Sequence, residues 1–140
     1  MSERPDMNTV NTRIIEEFRA NGGEVEMFKG IPILLLHHTG AKSNKGYVNP
    51  LAYLPDGDSM VVFASMGGAP KNPDWYHNLV AHPDAQVEIG GGQPFAARAR
   101  VAEGAEHDRL YAEQVKRVPV FGEYQQKTTR VIPVVLIERS

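Results

Sequence analysis

The sequence contains no cysteine, only one tryptophan and no long run of apolar residues. Without cysteine it has no disulfide, no thiolate nucleophile, no iron–sulfur cluster and no cysteine-ligated zinc. Its longest apolar run, residues 31–36, is far shorter than the roughly 20 residues that cross a bilayer. The first six residues are polar and lack the apolar core of a signal peptide. These absences predict a soluble protein of a reducing compartment, the cytoplasm.

An excess of either charge is also missing. The chain has 15 basic and 17 acidic residues, interspersed, for a formal charge of −2. No lysine or arginine run provides the electrostatic footprint of a nucleic-acid binder. At 140 residues the chain is long enough to bury a core without a metal or a disulfide. We therefore expect a single domain over residues 1–140.

The five histidines do not form a metal-binding pattern. His77 and His82 are five residues apart, whereas a spacing of four aligns two ligands on a helix. His37 and His38 are adjacent, so they point to opposite faces of a strand. No metal is expected. A Gly-x-Ser-x-Gly elbow, the signature of many hydrolases, is missing as well.

One amphipathic helix and several short strands are present. Apolar residues in the segment 8–20 share one helical face, and Asn21-Gly22-Gly23 ends it. This helix either packs on the domain or contacts a membrane surface, and packing is the favoured interpretation. Segments rich in β-branched and aromatic residues predict six strands, at 33–37, 47–54, 60–65, 86–89, 95–101 and 131–138. Further helices are predicted at 72–81, 105–116 and 122–127.

The order of these elements is not the βαβ alternation of a doubly wound sheet. Asp56-Gly57 between two predicted strands has hairpin chemistry, because both residue types tolerate positive φ angles. Short strands with tight turns and peripheral helices are typical of a small, mostly antiparallel barrel. We expect a mainly β fold of this kind.

Residues 39–46 combine two lysines, two hydroxyls and two glycines. Glycine lets backbone amides approach an anion, and lysine supplies charge. The order differs from a phosphate loop, and no helix follows it. The segment is therefore either an anion site or a solvated hairpin connection.

Residues 65–79 form a glycine-rich loop that runs into a helix. Asn72 is expected to cap this helix, with Pro73 in its first turn and Asp74 complementing the helix dipole. The start of such a helix is a site for an anion or a carbonyl oxygen. Trp75 either belongs to the core or contacts a ligand. The glycine content of the loop favours a ligand.

Tyr124 precedes the last predicted strand, within the predicted helix at 122–127. A tyrosine at this place is able to donate a proton or a hydrogen bond to a substrate oxygen. It is equally able to pack on the rim of the barrel. Both interpretations stay open from the residues alone.

Several motifs occur together in one order: Gly40-Ala41-Lys42-Ser43, Val48-Asn49-Pro50-Leu51, Ala64-Ser65 with Gly67-Gly68-Ala69, the block from Asn72 to Leu79, Tyr124-Gln125 and Ile132-Pro133-Val134-Val135. In this order they resemble the deazaflavin-dependent nitroreductase and quinone reductase family of actinobacteria. The resemblance extends from Phe18 onward, and the Asn-Pro-x-Trp-Tyr block is its most specific part.

The resemblance implies a split β-barrel like that of flavin reductases and pyridoxamine-phosphate oxidases. It also implies coenzyme F-420, an 8-hydroxy-5-deazaflavin, as the cofactor of an oxidoreductase. Reduced F-420 passes a hydride to a quinone, a nitroaromatic or a conjugated enone. In such chemistry the protein supplies geometry and electrostatics.

The same resemblance implies roles for individual residues. Tyr124 would face the substrate as the catalytic residue. Three residues would meet the phosphate and the glutamate tail of the cofactor: Lys42, Ser43 and Lys45. Eight would line the deazaflavin ring and its side chain: Asn49, Pro50, Ser65, Gly67, Gly68, Ala69, Trp75 and Tyr76.

The chain departs from this pattern at four positions. Tyr47 stands where family members often carry arginine, and Met66 where they often carry lysine, so two positive charges are lost near the expected phosphate site. Asn44 replaces a frequent glycine, and Phe121 removes a tyrosine hydroxyl. Two alternatives to the F-420 reductase therefore stay open: a flavin-mononucleotide enzyme on the same barrel, and a non-catalytic binder of the cofactor or of an aromatic ligand. The sequence is compatible with a monomer or a homodimer.

Overall fold

The computed structural model describes residues 7–28, 30–65, 68–90 and 92–140. Within these ranges a short 3-10 helix spans Glu26–Phe28. The α-helices are α1 (Met7–Ala20), α2 (Asp74–Ala81), α3 (Gly104–Arg117) and α4 (Val120–Gln126). The strands are β1 (Ile33–Thr39), β2 (Gly46–Ala52), β3 (Leu54–Asp56), β4 (Ser59–Phe63), β5 (Asp84–Glu88), β6 (Phe95–Val101) and β7 (Val134–Arg139).

The strands form one sheet in the order β2-β1-β5-β6-β7-β4-β3, and every neighbouring pair is antiparallel. The two edge strands, β2 and β3, are consecutive in the chain and separated only by Tyr53. In a flat sheet these edges would lie roughly 29 Å apart, at about 4.8 Å for each strand spacing. One residue does not bridge that distance, so the sheet curls into a half-barrel. This confirms the predicted barrel class.

The split at Tyr53 corrects the prediction of one strand over 47–54. β2 and β3 belong to opposite edges, which raises the number of strands from six to seven. The apolar and aromatic residues of 51–54 continue through the split without a turn residue, so the local sequence does not predict the end of one strand and the start of another. The last strand also begins at Val134 rather than Val131. Pro133 has no N–H to donate to a ladder, and the chain before it makes contacts with α4 instead.

The core consists of three buried clusters. The largest lies between the curled sheet and α2 and includes Leu34, Leu36 and Val62. A second, around Leu110, lies beneath α3 and α4. The third lies beneath α1, where Phe18 is fully buried against β1. β1 is therefore buried on both faces, which explains its unbroken apolar sequence.

α1 packs on the domain, as its favoured interpretation predicted. An ion pair adds to the apolar contact: Arg19 donates to both carboxylate oxygens of Glu88 on β5, at 3.2 and 2.8 Å. The ring of His37 lies 2.5 Å from the same carboxylate. The hydrogen bonds from Arg19 hold the pKa of Glu88 below its usual value. None of the described helices is long and apolar enough to cross a membrane.

Replacing Arg19 with leucine tests this ion pair. Because Arg19 is half-exposed and Glu88 is buried, we expect the free energy of unfolding at pH 7 to fall by about 1 kcal/mol. The stabilisation needs ionised Glu88. It is complete above pH 4.5, the ordinary carboxyl value, and disappears as the pH falls through the lowered pKa of the folded state. Urea unfolding between pH 3 and 7 measures the difference between variant and parent.

The matched control is Arg98→Leu. Arg98 pairs with Asp84 at 2.9 Å, but both side chains are exposed, so the expected loss is close to zero. Equal losses in the two variants would contradict a special role for the Arg19–Glu88 pair.

Candidate functional site

The predicted site residues lie in two loops, on strand β2 and on the helices α2 and α4. The lysine loop, residues 40–45, joins β1 to β2 and carries Lys42, Ser43 and Lys45. β2 carries Asn49 and Pro50. The glycine loop, residues 65–72, leads from β4 towards α2. α4 carries Tyr124. Gly67 and Met66 lie outside the described residues, so the structure places neither of them.

The lysine loop is a compact turn. The Gly40 N–H donates to the Lys45 carbonyl at 2.8 Å, and the Asn44 N–H donates to the Gly40 carbonyl at 3.1 Å. Asn44 adopts a φ of 58°, so it takes the left-handed conformation that glycine would adopt more easily. The Ser43 hydroxyl lies 3.2 Å from the hydroxyl of Tyr47. A β-carbon at Gly40 would contact the Ser43 hydroxyl and the Tyr47 ring, so these side chains would have to shift to make room for it.

Three side chains connect the lysine loop to α2 and to β2. The Ala41 N–H donates to Oδ1 of Asn78 at 2.9 Å, and Nδ2 of Asn78 lies 3.1 Å from Nδ1 of His38. Nε2 of His38 lies 2.7 Å from Oδ1 of Asn49. Both His38 and Asn78 are buried, and burial lowers the pKa of His38. The structure thus places the predicted residue Asn49 at the end of a continuous hydrogen-bond chain.

Arg130 holds the glycine loop in place. Its guanidinium donates to the carbonyls of Ser65 and Ala69, at 2.9 and 3.0 Å, and to Oδ1 of Asn72 at 2.7 Å. The side-chain amide of Gln125 accepts from the Ile132 N–H at 3.0 Å and donates to the Arg130 carbonyl at 2.7 Å. Arg130 therefore acts on this loop as a fork with several donors.

These contacts correct the expected helix cap. Asn72 does not cap α2, because its side-chain oxygen accepts from Arg130. Pro73 occupies the N-cap position with extended backbone angles and no side-chain hydrogen bond, and α2 begins at Asp74. A cap was a reasonable local expectation for asparagine before proline. The competing partner is 58 residues away along the chain, so no local pattern reveals it.

The glycine loop packs directly on the last turn of α4. Gly68 is buried with a φ of +84°. A β-carbon at Gly68 would lie 2.8 Å from the Tyr124 carbonyl and 2.9 Å from Cβ of Lys127. The Tyr124 ring packs on Phe121 with centroids 5.1 Å apart, and its hydroxyl has no hydrogen-bond partner among the described residues. The structure therefore brings the backbone of Tyr124 against Gly68, whereas the Tyr124 ring packs on the cluster beneath α3 and α4.

The two aromatic residues at the start of α2 have different environments. Trp75 is 7% exposed and belongs to the core cluster between sheet and helix, which is the structural role left open above. Tyr76 is half-buried and lines a shallow, mostly apolar groove between α2 and the sheet, together with Leu79, Pro83, Ala99, Val101 and Val135. Their assignment as cofactor contacts stays a prediction for both residues.

Sequence reasoning missed three residues of this region. His38 was considered only as a metal ligand, Asn78 only as part of a motif, and Arg130 not at all. The one available signal was the polar doublet His37-His38 at the end of an otherwise apolar strand. A buried polar side chain needs a partner, and here the partners come from β2 and α2.

A curled antiparallel half-barrel, with two loops converging on one helix, defines a split-barrel protein. The model of the F420H(2)-dependent quinone reductase family matches residues 10–139, and the chain belongs to this family. A quinone reductase of the same description from Mycobacterium tuberculosis is 40% identical over 113 residues, covering 77% of this chain and 74% of that protein.

Solved structures agree with this membership. An F420-H2 dependent reductase is 39% identical with a TM-score of 0.69, covering 76% of this chain and 94% of that one. A chain described as a domain-swapped dimer is 35% identical with a TM-score of 0.70, covering 94% and 99%. A pyridoxamine 5'-phosphate oxidase-like protein from Listeria innocua, at 12% identity and a TM-score of 0.56, shares the fold alone.

Replacing Gly68 with alanine tests the packing of the glycine loop on α4. The substitution introduces strain at a positive φ and a clash with backbone, so we expect the free energy of unfolding to fall by about 2–3 kcal/mol. Gly22→Ala is the matched control, because Gly22 also has a positive φ (+64°) but no atom within 4 Å of the added carbon. We expect a loss of about 1 kcal/mol there. Similar losses in both variants would show that the contact with α4 does not contribute to the free energy of unfolding.

Arg130→Lys tests the fork geometry. Lysine keeps the charge but lacks the planar set of donors, so we expect a loss of about 1–2 kcal/mol and faster amide exchange within residues 65–72. Hydrogen–deuterium exchange mass spectrometry measures the second effect. Arg117→Lys, at an exposed pair with Glu113, serves as the control and should leave that segment unchanged. Unchanged exchange in Arg130→Lys would refute the proposal that the Arg130 guanidinium holds the glycine loop in place.

Proposed function

We propose that this chain is a quinone reductase that uses reduced coenzyme F-420 as its hydride donor. One observation carries the proposal: the family match spans residues 10–139, and the lysine loop, Asn49 and α2 within it form one connected unit. The family description names the donor and the acceptor class. Nitroaromatics and conjugated enones extend this proposal as further acceptors, because they also accept a hydride at an activated carbon or nitrogen.

The residues present suit an anionic, carbonyl-rich cofactor. Lys42 and Lys45 are exposed and form no ion pair among the described residues, so their charges are available to a phosphate or a carboxylate tail. Asn49 offers its side-chain amide to the ring system. Bound F-420 would supply the hydride chemistry, whereas the chain supplies binding and orientation.

The glycine loop is proposed as the wall beside the cofactor ring. Ser65, Gly68 and Ala69 belong to a segment whose backbone is fixed by Arg130 and by α4. Only glycine fits at position 68, which lets the loop lie close to its neighbours. We expect a loop held in this way to keep its backbone conformation when the cofactor ring binds.

Tyr124 is proposed as the residue that faces the acceptor. Its side chain is half-buried against Phe121 and the cluster beneath α3 and α4, its backbone carbonyl lies beside Gly68, and its hydroxyl has no hydrogen-bond partner among the described residues. It is therefore able to donate to the acceptor oxygen that becomes anionic as hydride arrives. Phe121 packs against it and contributes no hydroxyl of its own.

The oligomeric state and the cellular location are further parts of the proposal. The domain-swapped relative favours a homodimer of this chain, which light scattering of the purified protein measures. We expect the enzyme in the cytoplasm. A peripheral membrane contact through α1 would have to use residues other than Ile14 and Phe18, because both are buried in the protein.

The test is a titration of purified protein with F-420 and, separately, with flavin mononucleotide, followed by menadione and a nitroaromatic. We expect F-420 to bind and its reduced form to be oxidised by the quinone. Binding without turnover of any acceptor would favour the non-catalytic binder. Binding of flavin mononucleotide in place of F-420 would favour the flavin enzyme.

The variant Lys42→Ala tests the role of the lysine loop. We expect about a tenfold rise in the dissociation constant of F-420, because one charge-assisted contact is lost. The melting temperature should not change, since Lys42 is exposed. Lys116→Ala, at an exposed position on α3, is the control. An unchanged dissociation constant in Lys42→Ala would show that the loop is only a connection between strands.

A further inference from the structure

The backbone fixes the orientation of the Asn78 amide. Its Oδ1 lies 2.9 Å from the Ala41 nitrogen, and a backbone N–H is only able to donate. The other amide atom of Asn78 is therefore Nδ2, which carries two hydrogens and faces Nδ1 of His38 at 3.1 Å. Nδ1 has to accept this hydrogen bond.

This contact sets the tautomer of His38. In a neutral imidazole one nitrogen accepts and the other carries the proton. Because Nδ1 accepts, Nε2 carries the proton and donates to Oδ1 of Asn49 at 2.7 Å. The amide oxygen of Asn49 is thereby occupied. Its NH₂ group is the part that remains available as a donor.

The surroundings of His38 favour this neutral form. The ring is 5% exposed, and the ring of Tyr47 stacks on it with centroids 5.8 Å apart and planes at 28°. Neither direct partner is charged, since both are amides. The neighbouring carboxylate, Glu88, contacts His37 on the opposite face of β1. The chain of hydrogen bonds thus has one consistent direction, from the Ala41 N–H to Asn49.

We propose that His38 is a positioning residue of the cofactor site: it holds the Asn49 amide so that its NH₂ group is presented to a carbonyl oxygen or ring nitrogen of the deazaflavin. This inference rests on the proposed function. The series of hydrogen bonds that orients Asn49 begins at the Ala41 N–H, so the backbone of the lysine loop also helps to position Asn49.

Two substitutions separate positioning from plain support of the fold. His38→Phe keeps an aromatic ring but removes both hydrogen bonds. His38→Gln keeps an N–H donor at a position comparable to Nε2 and so retains the contact to Asn49. His37→Phe is the matched control, because it makes the same change one residue earlier, where the side chain faces Glu88 instead of Asn49.

The dissociation constant of F-420 is measured by fluorescence titration, and melting temperatures are recorded for every protein. We expect binding about tenfold weaker in His38→Phe, within about twofold of the parent in His38→Gln, and unchanged in His37→Phe. Long-range ¹H–¹⁵N correlation spectra of the parent without cofactor should show the proton of His38 on Nε2.

Three results would overturn the inference. These are a His38→Phe protein with lower melting temperature but parental affinity, equal weakening in His37→Phe and His38→Phe, or a His38 proton on Nδ1. A parent protein that binds no F-420 would overturn the proposed function itself. The tautomer measurement needs no cofactor, so the two failures are distinguishable.

Discussion

The architecture depends on one covalent constraint: a single residue, Tyr53, separates the two edge strands. β2 and β3 follow each other in the chain, yet they lie at opposite edges of the sheet, so the sheet closes on itself at Tyr53. The Tyr53 N–H donates to the Pro32 carbonyl at 3.0 Å, which fixes the crossing beside the start of β1. Edge strands also tolerate proline, and Pro50 and Pro55 both occupy them.

The candidate site depends on this closure. The lysine loop leaves β1 near one edge of the sheet, whereas the glycine loop leaves β4 next to the other edge. In a flat sheet the two loops would be far apart. In the curled sheet both reach α2: the glycine loop runs into the helix, and Ala41 of the lysine loop donates to Asn78 within it. One helix is therefore the common wall of two loops from distant strands.

The local sequence pattern predicted most of the helices and strands but few of the contacts between them. The helices at 8–20 and 105–116 and the strand at 95–101 follow from apolar periodicity and turn residues, and the structure has them at almost the same bounds. The split at Tyr53 and the capping role of Asn72 were mispredicted. β2 and β3 lie at opposite edges because β1 pairs with β5 and β4 pairs with β7, which are both distant in the sequence. The side chain of Asn72 accepts from Arg130, 58 residues away. Arg130 was not predicted for the same reason: all three groups that accept from its guanidinium precede it by more than 50 residues.

The structure explains one change of charge, which lies at the lysine loop. The resemblance led us to expect arginine at position 47, but Tyr47 instead covers the His38 ring and contacts the Ser43 hydroxyl. This exchange leaves Lys42 and Lys45 as the positive side chains of the lysine loop and places an uncharged ring on the buried His38. At the glycine loop, Arg130 binds only carbonyl and amide oxygens among the described residues, so no carboxylate neutralises its charge. Positive charge therefore lies on Lys42 and Lys45 in the lysine loop and, beside the glycine loop, on Arg130.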